Sequence, residues 1–408
     1  MLYALHEMHH AALAPWNAAA KAGLGFLTHP FSPLAYLPAS RGVVAGTELL
    51  LRLTQRYGKP EFGIAETLVE GRRVAVGERV ALDKPFCRLL HFERALGPRN
   101  IPDPKVLLVA PLSGHYATLL RETVRALLPD HDVYVTDWVD ARRVPISEGP
   151  FHLDDYVDYV REFIGFLGPE MHVISVCQPT VPVLAAVALM ADAGDPVAPR
   201  TMVMMGGPID TRRSPTEVND LARNKPHSWF EQRLIHRVPA KYPGFMRRVY
   251  PGFLQHLGFV AMNPQRHVDA HWDFYNHLVT GDGDSADAHR RFYDEYNAVL
   301  DMPAEYYLDT IRTVFQQHAL PEGHWRVRGT LVRPQAISRT ALMTVEGELD
   351  DISGNGQTEA AHGLCTGIGS KLREHFLVPG VGHYGIFSGR RWREVICPRI
   401  GDFIRRHA

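Results

Sequence analysis

The sequence predicts an α/β protein: a mostly parallel sheet flanked by helices, with a helical cap insertion and an amino-terminal extension. Three observations predict it. From Val106 to about residue 210, apolar strand-like runs alternate with helical patterns. The alternation stops over 211–334, where polar and aromatic helical patches take over. It resumes at "TALMTVEGELDDI" and continues to the last helix. Strands apolar on both faces are those a parallel sheet buries between two helix layers. The expected division is an amino-terminal arm and first strands over 1–100, a core over 101–210 and 335–408, and a cap over 211–334.

Taken in order, residues 1 to about 60 read as helical, with breakers at Pro15, Pro30, Pro33 and Pro38. Residues 62–94 read as strands: "RRVAVGERVALDKPFCRLLHFER" alternates, with punctuation at Gly77 and at Asp83, Lys84 and Pro85. "VLLVAPLSGHYATLLRETVRALL" is an apolar strand, a turn and a helix. "HDVYVTDWVDA" is a strand. "FHLDDYVDYVREFIGFLG" is a helix with Tyr156, Tyr159, Val160, Phe163 and Ile164 on one face. "MHVISV" is a strand, "PTVPVLAAVALMADAG" a helix ended by Gly194, and "TMVMMGGPID" a strand entering a turn. After the insertion come the strand at "TALMTVEGELDDI", a helix over "GQTEAAHGLCTGI", a strand "REHFLVPG" and a final helix "RRWREVICPRIGDFIRR". No internal repeat and no low-complexity tract interrupts the series.

The chain has 408 residues, 45% of them apolar, and a formal net charge of −1. That is one large domain with insertions, or two domains. Basic residues are scattered, so no nucleic-acid footprint is expected. The start, "MLYALHEMHHAALAPW", lacks a basic n-region, and no signal peptide is expected. No run approaches the roughly 18 apolar residues of a spanning helix. The four cysteines, Cys87, Cys177, Cys365 and Cys397, lie far apart with no CxxC pairing, which argues against a disulfide framework or zinc knuckle.

Cys177 stands where a strand gives way to a helix, in Ser175-Val176-Cys177-Gln178-Pro179. Strand, nucleophile, helix is the geometry of a nucleophile elbow, usually G-x-S-x-G. The elbow wants small flanking residues because two backbones pass close together. Ser175 is small, and Pro179 suits a first helical turn, where no amide partner is needed. The positive end of the helix dipole faces Cys177. Alone, the pentapeptide is equally a buried structural cysteine. Its partners follow in chain order. "TVEGELDDI" places Asp350 just past a strand end, and "LVPGVGHYGIF" places His383 in a glycine-rich loop after the last strand. Nucleophile, acid and base in that order are the constellation of an α/β-hydrolase fold. Histidine would take the thiol proton and the aspartate would orient the ring. Asp351 competes with Asp350, which fits the strand end better. The oxyanion hole is expected from the backbone N–H of Gln178 and one from the turn "PLSGHY", where Leu112 and Ser113 are candidates and Ser113 the preferred one. His115 could line the pocket, but reads first as a surface histidine at a helix start.

"HEMHH" matches H-E-x-x-H through His6, Glu7 and His10, but it is short, terminal and without an evident third ligand, so no metal and no cofactor are expected. "TGDGDSADAH" lacks the calcium-loop glycine and terminal glutamate and reads as a solvated loop. The aromatics of 211–334, such as Trp229, Tyr250, Tyr306 and Tyr307, read mainly as packing between cap helices, with some lining a path for an ester chain.

With these residues in place, the chain resembles the intracellular poly(3-hydroxybutyrate) depolymerases. The resemblance rests on "HVISVCQPTVPVLAA", "VEGELDDISGNGQT" and "VPGVGHYGIFSG" and extends to the layout of nearly the whole chain. It implies a Cys177, Asp350, His383 triad and cleavage of the polyester of cytoplasmic storage granules, releasing 3-hydroxybutyrate or oligomers. The implied partner is a polyester chain at a granule surface, with no nucleic acid and no membrane span; a homodimer is compatible. The segment "LAPWNAAAKAGLGFLTHPFSPLAYL" is a candidate granule contact, and equally an arm packed on the core. A thioester intermediate makes coenzyme A a conceivable acyl acceptor beside water. The nearest alternative is a polyhydroxyalkanoate synthase, which would carry glycine in place of Pro179. A non-catalytic granule-surface protein is the other, and the complete set of triad residues speaks against it.

Overall fold

The computed structural model describes residues 2–36, 38–97 and 103–408. The expected boundary at 100/101 lies outside the described residues. Two long helices, α1 (Leu2–Thr28) and α2 (Pro38–Thr54), precede the sheet. Pro15 does not break α1, contrary to the breaker reading. α1 is largely exposed on the outside of the molecule, where water can satisfy the carbonyl that a proline leaves without a donor.

Strands β1 (Glu66–Val69), β2 (Arg72–Asp83) and β3 (Cys87–Arg94) form an antiparallel meander. Then come β4 (Lys105–Val109), α3 (Arg121–Leu127), β5 (Asp132–Trp138), α4 (Leu153–Leu167), β6 (His172–Val176), α5 (Thr180–Asp192) and β7 (Thr201–Met205). In α4 the face read from the sequence is the buried one, with Tyr156, Val160, Phe163 and Ile164 inaccessible. α5 is buried almost throughout, as a helix made of alanine, valine and leucine must be.

After β7 the chain leaves the sheet. It forms α6 (Glu217–Asn224), α7 (His227–Leu234), β8 (His236–Arg237), β9 (Arg248–Tyr250), α8 (Gly252–Met262), α9 (Pro264–Thr280), α10 (Gly283–Tyr296), β10 (Met302–Pro303), α11 (Ala304–Thr310), and a ribbon of β11 (Arg326–Val327) and β12 (Thr330–Leu331). β8, β9 and β10 make a small antiparallel sheet. The "TGDGDSADAH" loop is a correction: from Gly283 onward it is helix. The Asp282 carboxylate accepts the Ser285 amide and caps α10, which converts the acidic stretch into a first helical turn.

β13 (Ala341–Gly347), α12 (Ala361–Leu364), β14 (Arg373–Val378), α13 (Gly389–Arg391) and α14 (Cys397–His407) complete the chain. The helix expected over "GQTEAAHGLCTGI" shrinks to the single turn α12. The buried Glu346 carboxylate captures the amides of Gly356, Thr358 and Glu359 and holds that stretch as turns.

The main sheet runs β1-β2-β3-β5-β4-β6-β7-β13-β14. From β5 to β14 every neighbouring pair is parallel. This is an α/β-hydrolase sheet, with the crossover order placing β4 and β6 at its centre. The amino-terminal arm docks on the inserted segment. Tyr3 donates to Asp301 Oδ2 at 2.6 Å, and Arg52 pairs with Asp294. Arg290 grips the Glu48 carboxylate with two nitrogens. Asp301 is buried beside Asp140, and its carboxyl is pushed up to about 7 by burial and then by that neighbouring charge. Trp16, Phe26, Phe31 and Tyr36 remain on the arm's exposed side. No helix among the described residues is long and apolar enough to cross a membrane.

Candidate active site

β6 is buried at every position, and it delivers Cys177 at its carboxyl end. The residue has φ of 66°, in the left-handed region where a side chain is normally disfavoured. The turn is held by hydrogen bonds: the Cys177 amide donates to Met205 O at 2.7 Å, and the Thr180 amide to Cys177 O at 3.1 Å. Strain of this kind persists only where the surroundings over-determine it. It leaves the Cys177 side chain half-buried, whereas Cys87, Cys365 and Cys397 are buried. Burial pushes the Cys365 and Cys397 thiols up to about 12, and that of Cys87 well above its ordinary value.

The close approach at the elbow depends on a residue the sequence reading overlooked. A Cβ on Gly207, just past β7, would lie 1.8 Å from Thr180 Oγ1 and 2.5 Å from Thr180 Cβ. The first turn of α5 therefore packs directly on the Gly207 backbone. Ser175, read as the small flanking residue, is fully buried, with its hydroxyl on Val203 O. Gly206 plays the matching part for the other half of the site. It has φ of 55°, and a Cβ there would meet Ile386 at 2.5 Å and both Asp350 Oδ2 and His383 Cε1 at 3.3 Å. The doublet "GG" after an apolar strand was the available signal.

Asp350 follows β13, and His383 follows β14. His383 Nδ1 donates to Asp350 Oδ2 at 2.7 Å, with both groups buried. The other oxygen, Oδ1, accepts the amides of Ile352 at 2.9 Å and Ser353 at 2.8 Å. The carboxylate is thus fixed by three donors. Asp351 turns away, exposed, and takes the Asn263 amide at 3.2 Å from the inserted segment. Burial alone would lower the His383 pKa, but Asp350 and then Cys177 hold it well above the ordinary histidine value. The structure therefore places Asp350 on Nδ1 of His383, with Cys177 near enough to raise the same ring.

The amides of Gln178, Leu112 and Ser113 have no acceptor among the described residues. Leu112 is buried and Ser113 half-buried in the turn after β4. That turn needs Gly114 at φ of 113°, where a Cβ would strike Gln255 Oε1 at 2.6 Å. Leu300 donates back to Gly114 O at 2.7 Å. The inserted segment thus presses on the turn.

His115 is buried, which corrects its reading as a surface histidine. Its Nε2 meets Tyr296 O at 3.1 Å, and its ring stacks on Phe259. Burial lowers its pKa from 6.5 to about 4. The unfolded chain therefore takes up this proton first as pH falls, so stability present above about pH 6.5 is lost by about pH 4. Compared with His115→Gln, the wild type should lose on the order of 3 kcal/mol over that window. Urea unfolding of both proteins at several pH values measures this, and a pH-independent gap would refute it.

The H-E-x-x-H residues are absorbed by docking of the arm. His6 stacks on Phe253, and Glu7 takes Arg56, Lys241 and Tyr242. The described residues contain no group of three or more His, Cys, Asp or Glu that could hold a metal ion.

Residues 206–408 match a family model described as PHB de-polymerase C-terminus, a span that includes Asp350 and His383 and starts after Cys177. No curated protein matches the chain. Solved structures with a similar fold include an alpha/beta hydrolase from Penicillium sp. sh18, at 14% identity over 82% of this chain and 98% of that one, with a TM-score of 0.47. A monoacylglycerol lipase from Paleococcus ferrophilus has 13% identity, 75% and 97% coverage and a TM-score of 0.42. A thermophilic esterase from Thermogutta terrifontis has 12% identity, 85% and 98% coverage and a TM-score of 0.41.

Proposed function

Residues 206–408 belong to the PHB depolymerase carboxyl-terminal family, and on that premise we propose that this ester hydrolase cleaves poly(3-hydroxybutyrate) through Cys177, His383 and Asp350. The observation that carries the mechanism is a buried Asp350–His383 pair whose histidine is raised by Asp350 and by Cys177, the cysteine being half-buried on a strained turn.

His383 Nε2 takes the thiol proton as Cys177 Sγ attacks the ester carbonyl carbon. The carbonyl electrons move onto oxygen, which the Gln178 and Ser113 amides receive. When the tetrahedral intermediate collapses, the carbon–oxygen bond to the alcohol breaks. His383 gives its proton to that departing oxygen, leaving a thioester on Cys177. Water, or another thiol such as that of coenzyme A, then gives its proton to His383 and attacks the thioester. The acyl group is released and Sγ recovers. Asp350 accepts the Nδ1–H hydrogen bond throughout and keeps Nε2 directed at the sulphur.

The inserted segment serves as the cap over this site, and the exposed Trp16, Phe26, Phe31 and Tyr36 offer an apolar surface for the polymer. A granule-associated, cytoplasmic location follows from that substrate. The test is incubation with amorphous poly(3-hydroxybutyrate) granules, scoring soluble 3-hydroxybutyrate and its oligomers. Release by the wild type is expected. Cleavage of short soluble esters with no release from granules would overturn the polyester assignment. Polymer formation from 3-hydroxybutyryl-CoA would favour the synthase alternative instead.

A further inference from the structure

The residue after the nucleophile carries a side chain that the catalytic steps above do not use. Gln178 is only 8% exposed. Its Oε1 accepts the hydroxyl proton of Tyr306, which reaches in from α11 of the inserted segment. Its Nε2 is buried and has no acceptor among the described residues. A buried amide nitrogen left without an acceptor is unfavourable, so its presence calls for a specific explanation.

Tyr306 is itself immobilised. It is buried, stacks on Tyr156 with ring centroids 5.5 Å apart, and meets Phe151 at 6.1 Å. Tyr156 in turn stacks on Trp138 at 4.2 Å and donates to Ala110 O at the end of β4. Burial, and after it the nearby Cys177, opposes ionisation of the Tyr306 hydroxyl. The hydroxyl sits on the Oε1 end of the Gln178 amide. The NH₂ is therefore turned to the side that Tyr306 does not occupy.

We propose that the Gln178 side-chain amide is a specificity-determining donor: Nε2 binds the carbonyl oxygen of the ester unit next to the scissile one, and Tyr306 is the positioning residue that aims it. This rests on the reading of the site as a polyester-cleaving one. In that reading the backbone N–H of Gln178 receives the scissile carbonyl oxygen. The side chain leaves the same residue, so it reaches the next acyl oxygen along the chain. A linear 3-hydroxyester supplies that oxygen one repeat away. A simple monoester has a single carbonyl and leaves Nε2 unpaired. Sites with a buried donor discriminate against substrates that cannot satisfy it.

The test compares kcat/KM for a linear 3-hydroxybutyrate trimer methyl ester with that for p-nitrophenyl butyrate, and reads their ratio. Gln178→Glu keeps the acceptor for Tyr306 and removes the donor. Gln178→Met removes both, and Tyr306→Phe removes only the aiming hydroxyl. The ratio should fall about tenfold or more in the Gln178 variants and about threefold in Tyr306→Phe. A ratio within about twofold of wild type would overturn the proposal, because a purely structural role, or a donor satisfied by a fixed water, moves both substrates equally. Should the Gln178 variants not fold, the Tyr306→Phe ratio decides alone. A wild type that cleaves the trimer with an unmoved ratio in the variants sinks this inference only. A wild type that cannot cleave the trimer sinks the polyester reading and this inference with it.

Discussion

Replacing Cys177 by alanine lowers kcat for ester cleavage by about 10³–10⁵-fold, because no other nucleophile stands at the elbow. His383 and Asp350 keep their mutual 2.7 Å bond, but the attacking atom is gone. Alkylation gives an independent reading of the same residue. Iodoacetamide should react with one thiol per chain, at Cys177. The other three cysteines are buried, and burial holds their thiols protonated. Soluble substrate should slow that reaction, and the extent of modification should track loss of activity. Cys177→Gly adds a stability measurement. Its activity falls as in the alanine variant, yet the fold gains about 1 kcal/mol, since glycine meets no Cβ penalty at φ of 66°. Thermal or urea unfolding measures that gain. An alanine variant that cleaves ester at the wild-type rate would remove Cys177 from the mechanism.

Gly207→Ala carries the largest expected effect outside the reacting groups. The new methyl would sit 1.8 Å from Thr180 Oγ1, 2.4 Å from Cγ2 and 2.5 Å from Cβ. Rotating the threonine side chain leaves the Cβ contact in place, so β7 and the first turn of α5 must separate. Overpacking of this severity in a closed core costs about 3 kcal/mol or more. The first turn of α5 follows directly on Cys177 and Gln178, so the shift also moves the nucleophile and the oxyanion amide. A displacement near 1 Å lowers the rate by about 10²-fold. Thr180→Gly in the same chain removes the colliding atoms and should recover much of the activity. The comparison needs urea midpoints and kcat for the single and double variants. A single variant as stable and as active as wild type would show that the contact is not tight.

Much of the architecture was legible because it follows from local pattern. β4, β5, β6 and β7 are short apolar runs between turn signals. The helices between them carry apolar stripes that can only face a sheet. Asp350 and His383 were found because each follows a strand whose end the sequence marks, with glycines at 380, 382 and 385 opening the second loop. The misreadings share one cause. Local preference alone misassigns Pro15, the acidic stretch before α10 and the single-turn α12. Their conformations were set instead by solvent exposure of α1, by the Asp282 cap and by the buried Glu346 carboxylate. His115 was misplaced because its cover comes from Phe259 and Tyr296, far along the chain.

The sequence by itself determined the α/β class, the placing of Cys177, Asp350 and His383 each just past a strand end, and the interruption of the sheet by a long helical segment. Each depends on periodicity or on spacing from a strand end, and neighbouring residues suffice to specify these. The tertiary structure alone decided which groups meet. It placed Gly206 under Asp350 and His383, and Gly207 against Thr180, where one methyl group does not fit. It also brought the Tyr306 hydroxyl across 128 residues to the Gln178 amide. Such contacts depend on how separate elements pack, and close packing, unlike periodicity, leaves no repeating mark in the chain.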